Sequence, residues 1–273
     1  MKNILVVSWY TIREAMARKV FIFFSGISAL VVIFTAVILG VTNVDSIVQG
    51  FAGKNAAPMM AEIVSKLEIA IITPLASLGL LLAIFASSSF IPIMLEKGNI
   101  DLLLSKPVSR TQLLWGKYLG GLSVVFLNIA ILILGVWLSI SIKFSLWSFT
   151  FLWSILIITF TFAVLYSIIV LFGVITKSSM FGMMIAYLIF LILSPLLKFG
   201  HGDLQKIMSS EFWKGVIDTL YYILPKTSEL MSTTILTLAQ GQGIENYMPL
   251  WSSFIFLAAM MFISNYIFNK KDF

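Results

Sequence analysis

The stretch EKGNIDLLLSKPVSRTQLLWGK, Glu96–Lys117, separates two long runs without a charged residue, Ile69–Leu95 and Tyr118–Ile142. Each run exceeds the roughly 20 apolar residues that cross a bilayer as a helix. The stretch is therefore a polar elbow between two spans, and everything else must be threaded from that side of the membrane. Its internal grammar is local and specific. Ser109 and Gln112 form the S-x-x-Q pattern of a capping box, with Val108 and Leu113 at the staple positions, so a helix should start at Arg110 and run into the next span. Pro107 enforces a break before it. Upstream, Asn99 can cap a short helix over Ile100–Ser105, whose Leu102, Leu103 and Leu104 are too apolar for a free loop. That oily knuckle, rimmed by Glu96, Lys97, Asp101, Lys106 and Arg110, suits docking to a groove on another protein or burial in the lipid interface.

The rest of the chain agrees with a membrane reading. Of 273 residues 60% are hydrophobic and 11% charged, and the mean hydropathy is +1.03, outside the range of soluble domains. The fold class expected is all-α integral membrane, with six transmembrane helices in one domain, residues 1–273. Cysteine is absent, which removes disulfides and thiolate chemistry. The net charge of +6 is that of basic residues flanking spans, so no nucleic-acid surface is read from it.

Working outward, residues 1–19 are too polar to span, yet Leu5, Trp9, Ile12 and Met16 recur at helical spacing. They predict an amphipathic interface helix that is either an anchor or a lever touching a partner. Spans follow at about 20–41, 69–95, 118–142, 150–176, 180–197 and 249–268. The first reads as a retained span, not a cleaved signal. Thr42–Glu68 reads as an external loop, partly helical from Pro58. Ser87, Ser88 and Ser89 are read as packing residues, and Asn128 as an interhelical hydrogen-bonding group. Phe144–Thr176 is too long for one straight span, so Phe144–Phe149 is assigned to the interface; a hairpin of two half-spans would invert all that follows.

Residues 198–248 form an external loop. In it Glu211–Leu224 is an amphipathic helix stopped by Pro225, and a second piece is capped by Thr227 or Ser228, with Glu229 in its first turn and Gly241 at its end. These short external helices before the last span suit a lid over an outer mouth or a loop resting on lipid; Trp213, Tyr221 and Glu229 are the gate candidates. With the N-terminus inside, the 18 basic residues divide as 11 inside and 7 outside, four of the latter in the long 198–248 loop. This places both termini and the elbow in the cytoplasm, the protein being a multi-pass protein of the plasma (inner) membrane.

The run E-K-G-N-I-D-L-L-L-S-K-P-V-S-R, residues 96–110, resembles the E-x-G-T-x-x-x-L-L-x-x-P-V-S-R signature of ABC-2 type transporter permeases. It is most like the six-span group that serves maturation of copper enzymes such as nitrous oxide reductase. Thr11–Lys19, T-I-R-E-A-M-A-R-K, is similar to the T-x-R-E-A helix before the first span of that group. Asn99 departs from the usual Thr, and both can cap a helix. The resemblance implies that Glu96, Lys97, Gly98, Asp101, Leu104, Pro107 and Arg110 form a coupling elbow gripped by a separate ATPase subunit. It implies that Arg13 and Glu14 belong to the connecting helix, and that the permease works as a homodimer or beside a paired permease in the lipid bilayer.

Absences in the sequence fit that expectation. No G-x-x-x-x-G-K-[ST] is present, so ATP and Mg would be bound by the partner subunit, and neither a cofactor nor a metal site is expected in this chain. His201, the single histidine, is read as a surface residue. The chain is read as a permease subunit and not an enzyme. The alternatives are an ion-coupled secondary transporter, weakened because the assigned spans hold no Asp, Glu, Lys, Arg or His, and an intramembrane enzyme, which lacks convergent acid, base or metal groups.

Overall fold

The computed structural model describes residues 2–17, 20–41, 56–105, 107–204, 210–244 and 246–271. Expectations about Arg18, Lys19 and Lys106, and about the 42–55 part of the loop before the second span, fall outside the described residues. In chain order the helices are α1 (Lys2–Ala17), α2 (Val20–Val41), α3 (Ala56–Ser87), α4 (Phe90–Met94), α5 (Asn99–Leu104) and α6 (Arg110–Phe144). A 3-10 turn (Phe149–Trp153) precedes α7 (Ser154–Thr176), α8 (Ser179–Tyr187), a π segment (Leu188–Leu193), α9 (Ser194–Phe199) and a second π segment (Gly200–Leu204). After them come α10 (Glu211–Ile223), α11 (Thr227–Glu229), a third π segment (Leu230–Thr234), α12 (Ile235–Ala239) and α13 (Met248–Lys270). Among the described residues, six helical stretches are long and apolar enough to cross a membrane. This is an all-α integral membrane architecture.

The helix α7 is the axis of the bundle. Of its apolar window 83% is buried, against 22% for α2 and for α13, which present apolar side chains outward. In a bilayer such faces meet lipid, because lipid tails offer no hydrophobic drive to hide them. Around α7 the packing is aromatic: Tyr118 stacks on Tyr166 at 5.3 Å between ring centroids and donates its hydroxyl to the Ala163 carbonyl at 2.8 Å. Asn128 behaves as a polar group in an apolar bundle must. Its amide donates to the Val124 carbonyl and its oxygen accepts from Ser25 of α2 at 2.7 Å, joining the first and third spans. Ser87 and Ser88 bond back to the Ala83 and Phe85 carbonyls where α3 ends, so the serine cluster closes a helix break.

The long apolar run 144–176 contains one span. Ser145 adopts a left-handed conformation (φ 56°) that ends α6, and the Trp137 indole donates to the Ser148 carbonyl at 3.1 Å, folding residues 145–148 back onto the bundle. The half-span hairpin alternative is thereby excluded.

Several boundaries differ from those read in sequence. The second span begins inside a helix that starts at Ala56, not at Ile69, so the described part of the segment read as a partly helical external loop, Ala56–Glu68, is helical throughout. The third runs from Arg110 through Phe144, and the fifth reaches Gly202 through two π segments. Thr227 and Ser228 are not the N-cap of the second external helix. That place is taken by Lys226, and the exposed N–H groups are capped from other helices, Lys226 N–H by Ser253 Oγ at 3.1 Å and Ser228 N–H by Ser194 Oγ at 2.9 Å. Satisfying helix-end donors in trans ties this hairpin to both flanking spans.

Candidate functional site

One end of the bundle gathers everything the sequence singled out around the elbow. The capping box is formed: Gln112 N–H donates to Ser109 Oγ and Ser109 N–H to Gln112 Oε1, both at 3.2 Å. Val108 packs against the core and Leu113 is buried. Gly98 makes the turn before α5 with φ 89°, a conformation glycine adopts without steric cost. Asn99 does something the sequence did not suggest. It is the first residue of α5, and its amide donates to the Ile93 carbonyl at 3.1 Å, closing the end of α4.

The predicted elbow residues divide. Glu96, Lys97 and Gly98 are exposed at the tip, and Pro107 is exposed while its carbonyl accepts from the Asn3 amide at 3.1 Å. Asp101 and Leu104 lie on α5, but their side chains are outside the described residues. Arg110 turns inward. Its guanidinium donates to the carbonyls of Phe268, Asn269 and Lys271, the last at 2.6 Å, so it closes the C-terminal end of α13. Lys271 does the same for α7, donating to the Val174 and Ile175 carbonyls at 2.8 and 3.0 Å; burial, with the charge of Lys177 in addition, holds its ammonium below the usual lysine range. These contacts put the N-terminal helix, the elbow, the 177–178 turn and the C-terminus at the same end of the molecule.

Against the elbow lies α1. Its buried face is Ser8, Thr11 and Ala15, small residues that meet α6 at Gly116 and Gly120. A Cβ on either glycine would lie 2.5 Å from Val7 or Thr11, so only glycine permits this approach. The apolar stripe Leu5, Trp9 and Met16 is exposed, as lipid-facing residues of an interfacial helix would be. Arg13 sits 5.5 Å from the Trp9 ring on the exposed side. Glu14 points to the protein and pairs with Lys117 at 2.5 Å; the Lys117 side chain is only 4% exposed.

Between α1, α4, α5 and the start of α6 an open cavity of about 610 Å³ remains. Its walls are mostly apolar, with Val6, Leu102 and Leu103 near the mouth and Leu113 deeper, and the Glu14–Lys117 pair belongs to its lining.

The opposite end carries the gate candidates. Trp213 is exposed and packs edge-on against Phe212. Tyr221 is buried and donates to Glu229 at 2.6 Å; burial, reinforced by that carboxylate, pushes its phenol well above the usual range. The sequence reading missed two members of this cluster. His201, read as a surface residue, is half-buried: its ring stacks on Tyr221 at 4.1 Å and its Nδ1 lies 2.7 Å from Asp218. Lys226 is buried, with its ammonium 4.2 Å from the Tyr221 ring centre. Burial holds that ammonium below its usual range, and Glu229 opposes the shift. Lys198 adds bonds to Ser232 and Thr233, at 2.6 and 3.1 Å.

Ionisable side chains do lie within the bundle, contrary to the span boundaries read from sequence. Lys117 is one. Glu68, placed by the sequence at the end of a loop, is fully buried on α3.

No curated protein matches the chain. The model of the family described as ABC-2 family transporter protein matches residues 5–273, nearly the whole length. The chain therefore belongs to the ABC-2 family of transporter proteins, as the membrane component and not the ATPase.

Proposed function

We propose that this chain is the permease subunit of an ATP-driven exporter, moved by a separate ATPase subunit that grips the elbow from the cytoplasm. The observation that carries this is the open socket between α1 and α5, which joins the two segments the sequence reading put at the partner's surface. An apolar side chain from the ATPase enters it, while the exposed Glu96 and Lys97 of the same elbow set register. ATP and Mg belong to the partner. Because α1 is locked to α6 through Gly116, Gly120 and the Glu14–Lys117 pair, a push on the socket moves the whole 35-residue helix.

The same reading places both termini in the cytoplasm of a plasma or inner membrane, which the clustering of basic residues at the elbow end supports. Two copies, or this chain and a paired permease, form the transport path, with the hairpin α10–α12 over its outer mouth. Within the family, the elbow motif and T-I-R-E-A support assignment to the group that serves copper-enzyme maturation. Co-expression with the ATPase encoded beside it tests the proposal. The tagged chain should retain the ATPase through purification, and Glu96→Ala or Asp101→Ala should weaken retention with membrane insertion unchanged. Equal retention by both variants would reject the docking role.

A further inference from the structure

Glu68 is fully buried on α3, four turns short of the middle of the helix's apolar run, and its two carboxyl oxygens are treated differently. Oε1 accepts from Ser148 Oγ at 2.7 Å, whereas Oε2 has no hydrogen-bond partner. A carboxylate held in an apolar bundle with one bare oxygen is costly, and ionisable groups at membrane depth are retained where they bind something. A basic partner would be the ordinary solution, and none stands there among the described residues. On α3 itself Lys66 is spent on Glu62 at the surface, at 2.7 Å with both side chains mostly exposed.

The elements packed on α3 are α2, α6, α7, α8, α12 and the π segment Leu230–Thr234. Among them only α6 carries charged residues: Arg110 and Lys117 at its inner end, and Lys143, exposed, at its outer end. Their other titratable groups are tyrosines. Tyr118 bonds the Ala163 carbonyl, and Tyr187 bonds the Leu81 carbonyl, 13 residues along α3 and thus about 20 Å away. Tyr166 stacks between Tyr118 and Phe162.

The outer hairpin packs on the elements that hold Glu68 and its hydrogen-bond partner. Helix α12 packs on both α3 and the 3-10 turn that follows Ser148. We propose that Glu68 is a proton-binding site beneath this hairpin. The proton enters from the outer aqueous side and forms an O–H bond at Oε2, leaving Oε1 as the carbonyl oxygen that accepts from Ser148. Lifting the hairpin admits water, returns the proton to it and leaves a hydrated carboxylate. Closing the outer end thus takes up one proton per chain. This rests on the hairpin being a lid, but the bound proton itself is read on the chain alone, without an ATPase.

The test is infrared spectroscopy of the purified full chain in lipid nanodiscs at neutral pH. A protonated-carboxyl C=O band should be present, should vanish in Glu68→Gln, and should shift in Ser148→Ala, which removes the hydrogen bond to Oε1. Sodium or potassium chloride should leave it unchanged. Should Glu68→Gln fail to accumulate, the Ser148→Ala shift reads the same group. No such band, a band that survives Glu68→Gln, a band indifferent to Ser148→Ala, or its loss on adding salt, as when a metal cation takes the site, would each overturn the proposal.

Discussion

Glu14 and Lys117 are the pair on which the elbow end depends most. Lys117 has left water and Glu14 keeps 18% of its side chain exposed, so removing Glu14 strands a buried ammonium, at a cost below the roughly 3–5 kcal/mol of a fully buried pair. Glu14→Ala should therefore lower the thermal midpoint of the purified chain sharply. The double variant Glu14→Leu with Lys117→Met should recover most of the loss; additive losses would mean the two side chains do not act as a pair. Arg110 makes a different demand. Three carbonyls are reached by one planar guanidinium, a geometry lysine cannot reproduce. Arg110→Lys and Arg110→Ala should both speed proteolysis of the C-terminus, to similar extents. What sequence could reveal at this scale follows separation along the chain. The Ser109–Gln112 box spans four residues and was readable. Asn128 could be read as needing a partner, but not that Ser25 supplies it. Glu14 and Lys117 stand 103 residues apart, and Arg110 looked like a surface charge because nothing local says that α13 ends beside it.

At the scale of elements, the decisive contact is α1 on α6. Two glycines one turn apart let the backbones approach, and the price of a methyl there is overpacking. Gly120→Ala should destabilise the chain by about 1–3 kcal/mol. It should also uncouple α1, seen as faster amide exchange along residues 2–17; unchanged exchange would show that the neighbours give way freely. Helix starts with local caps, as at Arg110, were legible, and so was the stop at Pro225. The start of α3 was not, because residues 56–68 alternate polar and apolar groups without a clean period, and their helicity comes from what they pack on. The π segments of the fifth span were equally hidden. Their register is set by contacts such as Ser194 with Ser228 and Lys198 with Ser232, which belong to the hairpin and not to the span.

For the whole molecule, hydropathy sufficed to find the six spans, since spans must be long and apolar, and the basic flanks supply the orientation as a prediction. The arrangement of spans around α7 was not readable, because every apolar helix looks alike to a composition count. The absence of cysteine makes the threading directly testable. Single cysteines at Glu96 and Ser178 should react with an impermeant thiol reagent only after the membrane is opened, and cysteines at Glu211 and Trp213 should react in intact cells. Labelling of both sets from one side would refute the topology.

The central claim is that force enters at the socket between α1 and α5. Its most direct measurement is the ATP hydrolysis rate of the partner ATPase reconstituted with this chain, comparing wild type with Leu102→Glu. Leu102 is 68% exposed at the mouth, so the fold should tolerate the change, while a buried carboxylate would oppose an apolar side chain entering. The account predicts stimulation of hydrolysis by the wild-type chain and its loss, by about tenfold or more, in the variant, with equal amounts inserted. Undiminished stimulation by Leu102→Glu would contradict it.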